Sequence, residues 1–144
     1  MSLNPLSEIK YRLRLASEHL QRAERLFNLG DWVGTVSSSQ IAVENFAKAV
    51  IAVFEVPTWS HDPSEQLKSL IGRLPSSLTG IVGELMVIAR EVAPEHGRST
   101  YGEPSTGLTP SDIYGEEHAS STLGKAKRAR EIAEEVLRQL DVSL

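Results

Sequence analysis

The stretch AREVAPEHGRSTYGEP, residues 89–104, gathers side chains that could do chemistry together. Arg90 and His96 are separated by five residues. An arginine fork can bind a phosphate and stabilise developing negative charge. A histidine can move a proton near neutral pH. Together they suit phosphodiester cleavage of RNA, in which the 2′-hydroxyl attacks its own phosphate, and they are the candidate catalytic pair. Each also has a plainer reading. Arg90 would be a cation favoured near a helix C-terminus, worth up to ~1 kcal/mol, and His96 a loop residue with no role. On one continuous helix the two would lie about 120° apart, at 100° per residue. Pro94, between them, decides whether they meet.

Three more residues are candidates for contact with RNA or a nucleotide. Tyr101 could stack on a base or simply pack its loop on the rest of the chain. Arg98, in a loop beside a helix end, needs an anionic partner. His61 lies in TWSHDPSEQL with Asp62, at the start of a helix. It is either a site group or a histidine bonded to a neighbouring helix, with Asp62 as a cap. Lys125, Lys127, Arg128 and Arg130 form a basic run in GKAKRAREIAEEVLRQ. That run reads as a solvated helix face or as a contact for RNA.

Metal chemistry finds no signature. His19, His61, His96 and His118 never fall at a ligand spacing such as H-x-x-x-H, and the chain has no cysteine for a thiolate site or a disulfide. No metal and no cofactor are expected. The formal net charge of -4 argues against general attraction to nucleic acid or anionic lipid, although a local basic site stays open. No apolar run reaches membrane-spanning length. MSLNPLSEIKYRLRLASEHL lacks an apolar core of signal type and carries acid early, so the cytoplasm is the expected location. The leading Met-Ser-Leu has the look of a cloning remnant and carries no weight.

The elements that must position these residues are helical. Residues 1–144 fit one domain with one core. Leu6, Ile9, Leu13, Ala16, Leu20, Ala23 and Phe27 repeat at three- and four-residue steps, one apolar stripe of a first helix that Gly30 ends. Asp31 is a suitable N-cap for a second helix with Val33, Val36, Gln40, Val43, Ala47, Val50 and Phe54 in its stripe. Gln40 is the one polar member. The small residues of SSSQIAVENFAKAVIAVF let neighbours approach, so this helix is expected to be the most buried, and Pro57 stops it. A short third helix, capped by Asp62 or Ser64, carries Leu67, Leu70, Ile71 and Leu74. A fourth, from about Ser77, carries Leu78, Ile81, Leu85, Ile88 and Val92 and ends or kinks at Pro94. Residues 95–117, rich in glycine, proline and hydroxyls, read as a long irregular loop. TPSD then starts the last helix, with Ala119, Thr122, Ala126, Ala129, Ala133, Val136 and Leu140. No alternating strand pattern occurs. The reading is an all-α, antiparallel up-and-down bundle of four to five helices.

The order of three segments resembles the HEPN domain family. IAVENFAKAVIAVFEVP is similar to that family's second helix, SHDPSEQLKSLI to its THD segment, and GRSTYGEP…SDIYGEEHASSTLGKAKRAREIAEEV to the segment where an Arg-Tyr element precedes a helix of small residues. The resemblance implies a helical bundle that dimerises and brings two copies of a site together. Active members carry R-x(4–6)-H as a metal-independent ribonuclease motif, which Arg90 and His96 match in REVAPEH. Two departures stand out: Pro94 lies inside the motif, and the Arg-Tyr element is stretched to Arg98-Ser-Thr-Tyr101. The resemblance thus implies a homodimer that binds RNA or nucleotide and cleaves RNA. It equally implies a non-catalytic module that partners a minimal nucleotidyltransferase or another protein. Ser37, Ser38, Ser39, Ala47 and Ala126 are small enough for close helix contacts within or between subunits.

Overall fold

A computed structural model describes residues 4–144; the reading of the first three residues as a remnant lies outside them. Four long helices form the bundle: α1 (Pro5–Asn28), α2 (Trp32–Ala52), α4 (Ser76–Val92) and α7 (Glu116–Gln139). Short helices α3 (Ser64–Leu70), α5 (Glu95–Tyr101) and α6 (Pro110–Ile113) fill the connections. Single 3-10 turns cover Ile71–Arg73 and Pro104–Thr106. Among the described residues there is no strand, only one isolated bridge between Glu103 and Leu108.

The directions follow from which ends meet. Ile9 near the start of α1 packs with Ala52 at the end of α2 and Leu137 at the end of α7. Val36 at the start of α2 packs with Ala119 at the start of α7. Ser77 at the start of α4 bonds Gln139 at the end of α7. The long helices therefore run up, down, up and down, as the apolar stripes and short links require. α2 is the central one, buried along most of its length. Phe46, Val43, Ala47, Val50 and Ile51 join Leu20 of α1, Leu85 of α4 and Ile132 of α7 in one core. Ser38, Ser39, Ala47 and Ala126 are all buried within this single chain, so their small size serves its own helix packing.

The caps explain the boundaries. Asp31 Oδ1 accepts from the Gly34 N–H at 2.8 Å, the expected N-cap of α2. Asn4 does the same for α1 through Leu6, with Pro5 in the first turn. At α3 the cap position is Pro63, and Asp62 Oδ1 accepts from the Ser64 N–H at 2.9 Å.

Two expectations fail here. Residues 95–117 are not a long irregular loop. Pro94 ends α4 and caps α5: its φ of -59° already suits a helix, and its carbonyl accepts from the Arg98 N–H. Gly102 then stops α5 at φ 70°, where residues 103–108 close into a tight turn through Glu103 and Leu108. The final helix does not start at TPSD either. Thr109 and Asp112 form a capping box for the separate one-turn α6, and α7 begins at Glu116 after Gly115.

Candidate functional site

The site grows from a polar row on the most buried helix. Gln40, Glu44 and Lys48 recur at four-residue intervals on α2 and are 1%, 7% and 3% exposed. Lys48 Nζ donates to Glu44 Oε2 at 3.0 Å, and Gln40 Nε2 donates to Glu44 Oε1 at 3.2 Å. Buried charges persist only when paired in this way. Burial by itself would raise the Glu44 carboxyl. The bond and charge of Lys48, then the bonds from Gln40 and His61, outweigh it and hold the group below its ordinary 4.5.

Two histidines from distant segments land on this row. His61, in the segment before α3, places Nδ1 3.1 Å from Glu44 Oε1. His96, in the first turn of α5, places Nδ1 3.0 Å from Gln40 Oε1. Their rings stack, with centroids 3.6 Å apart and planes 18° apart. The His61 side chain is still 56% exposed, so the pair is anchored below and open above.

Glu44, His61 and His96 each offer a donor atom within 4.8 Å of the others, a cluster that ligand spacing along the chain cannot reveal. The donor types suit zinc, but the ring geometry does not. A metal binds an imidazole nitrogen in the ring plane at about 2 Å. Rings with centroids 3.6 Å apart and planes only 18° from parallel do not converge at that range. Glu44 is in addition already matched by Lys48.

The other candidates are dispersed around this pair. Arg90, in the last turn of α4, is half-exposed and pairs with Glu65 of α3 at 3.5 Å, four residues on from His61. Arg98 is taken by two carboxylates, Glu95 at 3.2 Å and Glu103 at 2.6 Å. Tyr101 is 75% exposed, so it does not pack the connection onto the bundle. Tyr114 does that instead. It is buried and donates to the buried Glu95 carboxylate. Burial first, then that bond, push its phenol well above the usual tyrosine range. Three cations of the basic run on α7 are answered by carboxylates: Arg128 by Glu84 and Glu131, Lys125 by Glu91, Arg130 by Glu134. It is a solvated, mostly paired face.

Sequence reasoning missed Glu44 and Lys48 as site groups and saw Gln40 only as a polar exception. Their four-residue spacing in an otherwise small and apolar helix was the available signal.

Comparison with known proteins agrees with this architecture. Comparison with curated proteins gives no match. Among solved structures, the chain is similar to TT1696 from Thermus thermophilus, with a TM-score of 0.72 and 20% identity over 90% of this chain and 98% of that one. At that identity the likeness speaks for the fold. The sequence profile of the HEPN domain matches residues 9–142, nearly the whole of the bundle, and the chain belongs to the HEPN domain family.

Proposed function

We propose that this HEPN-domain chain binds RNA or a nucleotide at the paired His61 and His96, with Arg90 as its phosphate contact, and cleaves RNA there without a metal ion. The observation that carries the reading is the stacked imidazole pair, two proton-moving groups anchored on α2 and open to solvent. Arg90 would exchange the exposed Glu65 for a phosphate oxygen, which a guanidinium binds in a fork. His96 would move the proton. Tyr101 offers an exposed ring for a base. Arg98 contributes by holding the fold of α5 and the turn after it. In this reading the chain acts as a homodimer in the cytoplasm. The test is incubation of the purified protein with tRNA or mRNA in the presence of EDTA. Cleavage is expected, and it is expected to be lost in Arg90→Ala and in His96→Ala. An inert wild type would overturn catalysis, and cleavage untouched by both changes would overturn the residue assignment.

A second reading, a non-catalytic module that partners a minimal nucleotidyltransferase, is favoured by a different surface. Trp59 is 95% exposed and Val56 59% exposed. They border a groove of about 420 Å³ that Phe54 and Pro57 also line. Exposed apolar surface of this kind marks contact sites. Co-expression with a small nucleotidyltransferase should give one co-eluting complex that Trp59→Ala weakens. Separate elution of the two wild-type proteins would overturn this reading.

A further inference from the structure

Both imidazoles are tied to one carboxylate. A carboxylate only accepts hydrogen bonds, so every group on Glu44 must donate. His61 Nδ1, 3.1 Å from Oε1, therefore carries its proton. Gln40 meets the same oxygen at 3.2 Å and must turn its NH₂ toward it. That orientation leaves Gln40 Oε1, an acceptor, facing His96 Nδ1 at 3.0 Å. His96 Nδ1 must then carry a proton as well. Heavy-atom positions alone leave an amide flip and a histidine tautomer open; here a single buried charge decides one flip and two tautomers. A neutral imidazole has one N–H, so each ring keeps Nε2 as a lone-pair acceptor on the edge away from α2.

We propose that Glu44 is the positioning residue of this site: directly on His61, and through Gln40 on His96, it holds both rings as Nδ1–H tautomers. Two basic nitrogens, not one, then face a phosphate ester, and His61 joins His96 in proton transfer. The use of those nitrogens rests on the phosphodiester reading above; the tautomers do not. In the reaction, one Nε2 takes the 2′-hydroxyl proton while O2′ bonds to phosphorus. The bond from phosphorus to O5′ breaks, its electron pair goes to O5′, and O5′ takes a proton from the other ring, which entered as imidazolium. The rings end with their protonation exchanged, and no oxidant, reductant or further reactant is needed.

A tie made by packing and ring stacking alone, without the Glu44 and Gln40 hydrogen bonds, would not set both tautomers. Long-range ¹H–¹⁵N correlation spectra of the full chain, at a pH where the rings are neutral, read them directly. Both His61 and His96 are expected as Nδ1–H, against the Nε2–H form that the free side chain favours in water. Gln40→Met removes the relay and keeps the Glu44–Lys48 pair. In that variant His96 is expected to relax to Nε2–H while His61 stays Nδ1–H. Glu44→Gln is expected to release both rings; Gln40→Met decides the matter if that protein does not fold. Wild-type His96 as Nε2–H, or a Gln40→Met spectrum without change at His96, overturns the proposal. In RNA cleavage, His61→Ala should lose roughly 10²- to 10⁴-fold and Gln40→Met roughly 10- to 100-fold. Full cleavage by His61→Ala overturns its share in proton transfer. A wild type that cleaves no RNA removes the phosphodiester reading, while the spectra still decide the positioning role.

Discussion

Single side chains on α2 carry stability and hold the two imidazoles in place. Lys48 and Glu44 are buried together, so removing one strands the other. Lys48→Met should cost roughly 3–5 kcal/mol in urea unfolding, the usual penalty for a buried charge left alone. The pH dependence follows from the sign of the Glu44 shift. Its folded carboxyl sits below the ordinary 4.5, so its contribution is fully present above that value and is lost as pH falls below it. Unfolding measured from neutral to acid pH should show this loss in the wild type, and Glu44→Gln should lack that component. Two tyrosines make a second contrast. Tyr114→Phe removes the donor from buried Glu95 and should cost roughly 1–3 kcal/mol. Tyr101→Phe, on an exposed ring, should change stability by less than about 0.5 kcal/mol.

At the level of elements, the decisive unit is the short α5 with the turn behind it. This segment delivers His96 to α2, and it holds its shape through Arg98, Glu95, Glu103 and Tyr114 rather than through helix length. Two of its glycines differ sharply. A Cβ on Gly102, at φ 70°, would stand 2.1 Å from the Leu108 carbonyl oxygen. Gly102→Ala should therefore destabilise by about 1–3 kcal/mol or more and lower the melting temperature. Gly97, on α5, has nothing within 4 Å of such a Cβ. Gly97→Ala should be neutral or stabilising by about 0.5–1 kcal/mol. Equal losses from both changes would contradict the distinct roles of the two positions. The composition of residues 95–117 suggested a loop because glycine and proline are weak local signals for helix. Contacts made elsewhere in the fold outweigh that preference.

For the whole molecule, net charge sets how RNA could be held. The chain carries -4 overall, and the arginines of the α7 basic run are paired to carboxylates, so the fixed positive charge offered to a phosphate in the proposed site is that of Arg90. One or two phosphate contacts on a single strand predict a shallow salt dependence, with log K against log salt sloping by about -0.7 to -1.4. A slope several times steeper would point to a wider basic surface and away from this site. The proposed homodimer is tested at the same scale. Light scattering at micromolar concentration should return about twice the 15.8 kDa chain mass, and a single monomer mass would count against it.

The amino-acid sequence by itself determined the helical class, the four apolar stripes, the Asp31 cap and the stops at Gly30 and Pro94. Each of these depends on residues within a turn or two of one another, because helix hydrogen bonds and side-chain periodicity are local. It also placed Arg90, His96 and His61 among the candidates by residue type. Only the tertiary structure decided which of them meet. His61 reaches Glu44 across 17 residues and His96 reaches Gln40 across 56, and the ring stack joins segments that share no local pattern. Those contacts come from packing α3 and α5 against α2. The two tautomers depend on that packing too, because one buried carboxylate can order three partners only once the fold has brought them to it.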